Sequence, residues 1–154
     1  MPILTGRFAD GKPLVDVGLA PVLPMPGHVR PVAEPSVFPV TPLRALLDTG
    51  ADGTSITQAV AQSHHLENLG MRNVIGVGGG RPHRTWATFL CFFFDQEADF
   101  EGDQHTSKGL FILPDPLLAV EIANNRWFDV IIGRDILSKF EFSIRRGDWS
   151  LVLE

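Results

Sequence analysis

The stretch that most restricts what this chain can become is Leu46-Leu47-Asp48-Thr49-Gly50-Ala51-Asp52, an apolar run stopped by an acid, a hydroxyl and a glycine. Leu43, Ala45, Leu46 and Leu47 read as a buried strand from a sheet covered on both faces. Gly50 permits a sharp turn that a side chain would resist. An aspartate ending such a strand meets little solvent, and a lone buried carboxylate is costly. Asp48 is therefore hydrogen-bonded, paired or used in chemistry. An ordinary strand-to-turn connection, with Asp48 capping local amides, would meet the first condition. A matching segment far downstream tips the balance toward the last.

That segment is Phe128-Asp129-Val130-Ile131-Ile132-Gly133-Arg134-Asp135-Ile136-Leu137, a β-branched strand stopped by glycine and followed by a short helical pattern. Between the two lies Val74-Ile75-Gly76-Val77-Gly78-Gly79-Gly80, with four glycines in its last five residues. The Gly-x-Gly-x-x-Gly nucleotide pattern fails there because Arg81 takes the sixth position and strand formers follow. A Walker loop fails for want of Gly-Lys-Ser or Gly-Lys-Thr. Strand, glycine tip, strand describes a hairpin, and so many glycines carry an entropic cost that a mobile lid close to a ligand would justify.

Taken in order, Leu-Leu-Asp-Thr-Gly-Ala-Asp, the glycine-tipped hairpin and Ile-Ile-Gly-Arg-Asp-x-Leu resemble the retropepsin-like aspartic proteases, the retroviral enzymes with their cellular and bacterial relatives. The resemblance implies an all-β fold: a closed, orthogonal β-barrel, one half of an acid protease, with one or two short helices. It implies an aspartic endopeptidase in which Asp48, Thr49 and Gly50 form the catalytic loop. Ala51, Asp52, Ile75, Gly76, Gly78, Gly79, Gly80 and Ile131 would contact substrate. Ile132, Gly133, Arg134 and Asp135 would support the loop, with Arg134 paired to Asp52 or to a neighbouring subunit.

Hydrolysing an amide with carboxylates alone needs two of them in different protonation states, one to take a proton from water and one to give a proton to the carbonyl oxygen. Two carboxyls about 3 Å apart share one proton and so supply both roles. The chain contains no second Asp-Thr-Gly or Asp-Ser-Gly. By the resemblance, a symmetric homodimer brings one Asp48 from each copy to the two-fold axis, and Thr49 bonds across it. Ala51 lacks the hydroxyl that pepsin-like enzymes usually place after Asp-Thr-Gly. One fewer donor depresses the dyad's pKa less, so the expected pH optimum is acidic but milder than that of pepsin. The competing reading is a retropepsin-fold module that binds peptides or only dimerises, since a fold does not establish an activity. An acidic α/β metabolic enzyme is disfavoured by the missing cofactor fingerprints.

At 154 residues the chain suits a single domain, large enough to bury about 70% of its unfolded surface. A net charge of −5, with scattered Lys and Arg, argues against nucleic acid as a partner. The single Cys91 excludes an internal disulfide framework and fits a reducing compartment. The N-terminus lacks a charged leader with an apolar core, and no stretch nears the roughly 20 apolar residues that span a bilayer. The expectation is a cytoplasmic protein, off the membrane, with itself and a peptide or protein substrate as partners.

Cofactors are not expected. Nor is a metal: adjacent His64 and His65 point to different helix faces, and no other His, Cys or carboxylate completes a zinc spacing. Residues 3–20 read as two strands about the Asp10-Gly11-Lys12-Pro13 turn. Pro21 to Pro42 holds seven prolines in twenty-two residues, which excludes helix and central strand and reads as an inserted surface loop. Thr57 is placed to cap a helix over 58–65. The alternating acids Asp95, Glu97, Asp99, Glu101 and Asp103 lack EF-hand spacing and suit a solvated hairpin or loop. Residues 109–113 form a strand, 117–127 a lengthened loop beside the cleft, and 140–153 a terminal hairpin.

Overall fold

The computed structural model describes residues 2–20, 22–25, 28–31, 40–76, 79–100 and 103–154. The first part of the chain gives β1 (Ile3–Arg7), β2 (Leu14–Ala20), β3 (Val22–Met25), β4 (His28–Pro31), β5 (Leu43–Leu47), β6 (Ser55–Thr57) and the helix α1 (Gln58–Ser63). The second gives β7 (Glu67–Gly76), β8 (Gly79–Phe100), β9 (Asp103–Ile112), β10 (Leu117–Ile122), β11 (Val130–Ile132), α2 (Arg134–Leu137), β12 (Glu141–Arg145) and β13 (Asp148–Val152). The all-β expectation with two short helices holds.

Strands β10, β6, β11, β5, β2 and β8 pair in that order, and β8 pairs with β10 again, so six strands close into a barrel. Closure buries one face of β5 and leaves the other less covered, whereas Val17 to Ala20 of β2 and Thr85 to Phe92 of β8 are buried on both faces. Leu43, Ala45 and Leu47 are accordingly buried while Arg44 is exposed and Leu46 half-buried. That corrects the expectation of a strand covered on both faces. Val17, Ala45, Ile56, Leu90, Phe92, Val130 and Ile132, all fully buried, belong to one core cluster. Phe140, after α2, meets Phe92 and Phe111 edge-on at 6.0 Å, the arrangement the ring quadrupoles favour.

Two long hairpins leave the barrel from β8, one with β7 and one with β9. The β8–β9 ladder runs out to Phe100–Asp103, so Asp95, Glu97, Asp99 and Asp103 lie on paired strands, while Glu101 lies outside the described residues. A separate three-stranded sheet has the order β1-β13-β12. Its β12–β13 turn places Arg146 (φ 51°) and Gly147 (φ 84°) in the left-handed region, as two-residue hairpins of this twist require.

The two strands expected about Asp10-Gly11 are present, with a tight turn in which Ala9 and Lys12 exchange backbone bonds of 2.9 and 3.0 Å; past it β1 pairs with β13 while β2 pairs with β5 and β8. Three expectations need correction. The Pro-rich stretch contains a ribbon, β3 with β4, and not only loop. Pro24 and Pro31 fit because both strands of an isolated ribbon are edges, where a missing donor costs little. Helix α1 stops at Ser63, and Thr57 makes no side-chain cap. Instead Asn124 Oδ1 accepts the Ala59 N–H at 2.8 Å. Finally, residues 117–122 are the barrel strand β10, parallel to β6 and antiparallel to β8. Among the described residues no helix is long and apolar enough to cross a membrane.

Candidate active site

Asp48 leaves the barrel at the end of β5, held on the side of β11. The parallel ladder pairs Ala45, Leu46 and Leu47 with Val130, Ile131 and Ile132, and the Asp48 N–H continues it to the Ile132 carbonyl at 3.0 Å. The chain then turns: the Gly50 N–H donates to Asp48 Oδ1 at 2.8 Å and the Ala51 N–H to the Asp48 carbonyl at 3.3 Å. It returns as β6 on the far side of β11. A buried strand thus lies between the two strands that the loop joins.

The start of α2 grips the loop by its backbone. Arg134 N–H donates to the Ala51 carbonyl at 2.8 Å and Asp135 N–H to the Asp52 carbonyl at 3.1 Å. The Asp135 carboxylate accepts the Thr54 N–H at 3.0 Å and the Thr54 hydroxyl at 2.8 Å. Thr54 Oγ1 in turn accepts the Gly133 N–H at 3.2 Å. An alanine methyl at Gly133 would lie 2.6 Å from the backbone carbon and oxygen of Gly53, so only glycine lets the two segments meet this closely. The Arg134 guanidinium pairs with the Asp52 carboxylate, the intrachain member of the two partners expected.

Thr49, Gly50 and Asp52 are exposed, Ala51 and Ile131 half-buried, Ile132 and Gly133 buried. Asp48 is half-buried, where the strand reading placed it away from solvent. The Gly50 amide meets one carboxyl oxygen, and solvent reaches the half-buried side chain. Ile75, 88% exposed, stands near the end of the β7–β8 hairpin, where Gly76 pairs with Gly79 and Ile75 with Gly80. Gly78 lies outside the described residues.

Cavities of about 320, 330 and 520 Å³ lie among other residues, around Trp127, along β1 and over the β1-β13-β12 sheet. Asp48 lines none of them. Among the described residues no group of three or more His, Cys, Asp or Glu side chains is placed to hold a metal ion. Thr54, buried to 1%, is the contributor that sequence reasoning missed. Its only signal was a hydroxyl between the turn and the next strand, and its partner is distant in sequence.

A closed barrel with an Asp-Thr-Gly loop wrapped about an inserted Ile-Ile-Gly strand defines an aspartic-protease half. The chain belongs to the retroviral aspartyl protease family, whose sequence model matches residues 27–145. Among solved structures it is similar to a retropepsin-like aspartic protease from Rickettsia conorii, 11% identical over 97% of this chain and 89% of that one, with a TM-score of 0.54. That likeness shows the fold. Weaker likenesses are to the EIAV protease in complex with the inhibitor HBY-793 (22% identical, 83% and 86% covered, TM-score 0.42) and to the retroviral protease-like domain of Ddi1 from Leishmania major (14%, 88% and 82%, TM-score 0.40). No curated protein sequence matches the chain.

Proposed function

We propose that the protein is an aspartic endopeptidase, active as a symmetric homodimer in which the two Asp48 carboxylates share one proton about 3 Å apart. The observation carrying this reading is the fixed position of Asp48: its amide is bonded to the Ile132 carbonyl and its Oδ1 to the Gly50 N–H. The frame behind it leaves the loop's outer face free. One carboxylate takes a proton from the attacking water while the other protonates the carbonyl oxygen of the scissile amide.

In this reading Thr49 bonds across the dimer axis, Gly50 and Asp52 meet the substrate backbone, and Ala51 and Ile131 line the cleft. The β7–β8 hairpin acts as a flap, closing over substrate through Ile75, Gly76 and the glycines that follow. The open surroundings of Asp48 are what one half of a two-chain cleft presents. The chain works as one domain in a reducing cytoplasm, consistent with its single thiol, Cys91, being free and buried.

The test is cleavage of a diverse peptide library from pH 3 to 7 by the wild type and by Asp48→Asn, with sedimentation under the same conditions. The expected result is a dimer with an acidic optimum milder than pepsin's. Asp48→Asn should lose at least about 10³-fold in rate with unchanged stability. Equal cleavage by both proteins removes the catalytic assignment. No cleavage by either favours a peptide-binding or dimerisation module, and a rate still rising as the pH falls to 3 overturns the reasoning from Ala51.

A further inference from the structure

The β7–β8 hairpin passes from solvent into the barrel within one residue. On β8, Gly79 to Arg84 are exposed apart from the half-buried His83, and burial begins at Thr85. On β7, Glu67 to Asn73 are all exposed. Whatever sets the hairpin's angle must therefore act at its base.

The two strands are treated differently there. The register of β7 shifts between Asn68 and Met71. Gly70 within that shift has φ +93°, and Asn68 Oδ1 accepts its N–H at 2.8 Å. A bulge of this kind bends the strand and loosens its ladder. On β8 the opposite holds. The ladder with β10 ends at Thr85–Val120, but Glu121 extends the grip by one residue. Its Oε2 accepts the indole N–H of Trp86, a residue only 7% exposed, at 3.1 Å. Its carbonyl oxygen lies 3.1 Å from His83 Nδ1. One strand is free to bend while the other is fastened by a carboxylate acceptor, among the stronger hydrogen-bond types.

Glu121 also stands beside the loop frame. It pairs with Ile56 of β6, and the preceding Val120 N–H donates to the Thr54 carbonyl at 3.2 Å. Thr54 is the residue that binds Asp135 and Gly133 behind Asp48. Consecutive hydrogen bonds thus run from the hairpin's base to the back of the catalytic loop. Thr85 Oγ1, at the same level, is buried and has no hydrogen-bond partner among the described residues, so this base is not fully satisfied in the arrangement seen.

We propose that Glu121 is a positioning residue: it latches β8 through Trp86 and His83 and so sets the hairpin's angle relative to the Asp48 loop. The inference rests on the reading of the hairpin as a flap, and it assigns the pivot to Gly70 and the fastening to Glu121.

The experiment compares the full chain with Glu121→Ala, Glu121→Gln, Trp86→Phe and the Glu121→Ala/Trp86→Phe pair. Two measurements are made, amide hydrogen exchange by segment and steady-state peptide cleavage. Glu121→Ala should speed exchange over residues 79–88 by about tenfold or more, the loss expected for a hydrogen bond to a charged group. Exchange in 43–47 and 130–137 should stay as in the wild type. KM should rise by about tenfold with a smaller change in kcat, the mark of lost binding rather than lost chemistry. Glu121→Gln, which keeps an acceptor, should restore both, and the double variant should be no worse than Glu121→Ala.

Exchange that rises uniformly along the chain, or not at all, overturns the latch. Unchanged kinetics in Glu121→Ala, with an active wild type, overturn the positioning role and leave the protease reading intact. A wild type that cleaves nothing overturns the protease reading and substrate positioning together, while the exchange pattern still decides the latch.

Discussion

The Asp48 loop and the β7–β8 hairpin are both rich in glycine, and their glycines serve opposite purposes. At Gly133 an added methyl would sit 2.6 Å from Gly53 backbone atoms; glycine is there because two pieces of main chain touch. At Gly79 and Gly70 nothing lies within 4 Å, but φ is +94° and +93°; glycine is there because the backbone is left-handed. The first device makes a loop that cannot move without breaking main-chain contacts. The second makes a hairpin whose outer part is held by its own ladder and little else, since most of its residues are exposed. Under the proposed function the former suits a catalytic acid, whose position must be fixed before substrate arrives, and the latter suits a covering element.

The largest effect should come from Gly133→Ala. Backbone cannot yield as a flexible side chain does, so the expected loss is about 3 kcal/mol or more in urea denaturation. Gly79→Ala, strained only through its φ, should cost about 1–2 kcal/mol. Equal losses would break the contrast between the two kinds of glycine. Next is Asp135→Ala, which strips two bonds from Thr54; the expected loss is about 2–3 kcal/mol, with Thr54→Val losing about as much because it too removes two bonds, to Asp135 and from the buried Gly133 N–H.

Strand β8 carries the same contrast along its own length, and Cys91 at its buried part gives a pH test. Burial pushes the Cys91 thiol up to about 11 from 9.0. Between those values the unfolded chain releases the proton and the native chain keeps it. Stability therefore falls as pH rises through that window, by at most about 1.4 kcal/mol per unit. Cys91→Ala should flatten that part of the pH–stability curve. The thiol should also resist alkylation at pH 8 until the protein unfolds. The smallest effect is expected for Arg134→Ala. The Arg134 and Asp52 side chains are 61% and 86% exposed, and such pairs contribute less than about 1 kcal/mol. A larger loss by thermal or urea denaturation would mean that the ion pair, and not the backbone frame, holds the loop.

Much of the loop was legible because its signals are local. An apolar run, a stop at Asp48 and a glycine turn needed no distant information, and neither did Val130 to Gly133 followed by α2. What stayed hidden depended on partners remote in sequence. Residues 117–122 looked like loop beside Pro114 and Pro116, and they became barrel strand β10 because β6 and β8 supplied two ladders. Thr57 looked like a cap, but Asn124 supplied the oxygen. Asp10-Gly11 marked the turn correctly, yet whether β1 and β2 stay together past it is a matter of core packing.

The sequence by itself determined where strands end in polar turns: Asp48-Thr49-Gly50 and Gly133-Arg134-Asp135 are written in consecutive residues, and backbone stereochemistry turns them into a loop and a helix start. Tertiary structure alone decided what each end is fastened to. Hydrogen bonds such as Thr54 to Asp135, or Trp86 to Glu121, join residues 81 and 35 positions apart. Only the closed barrel brings such groups within bonding distance, because its ladder register is set by which faces must be buried together.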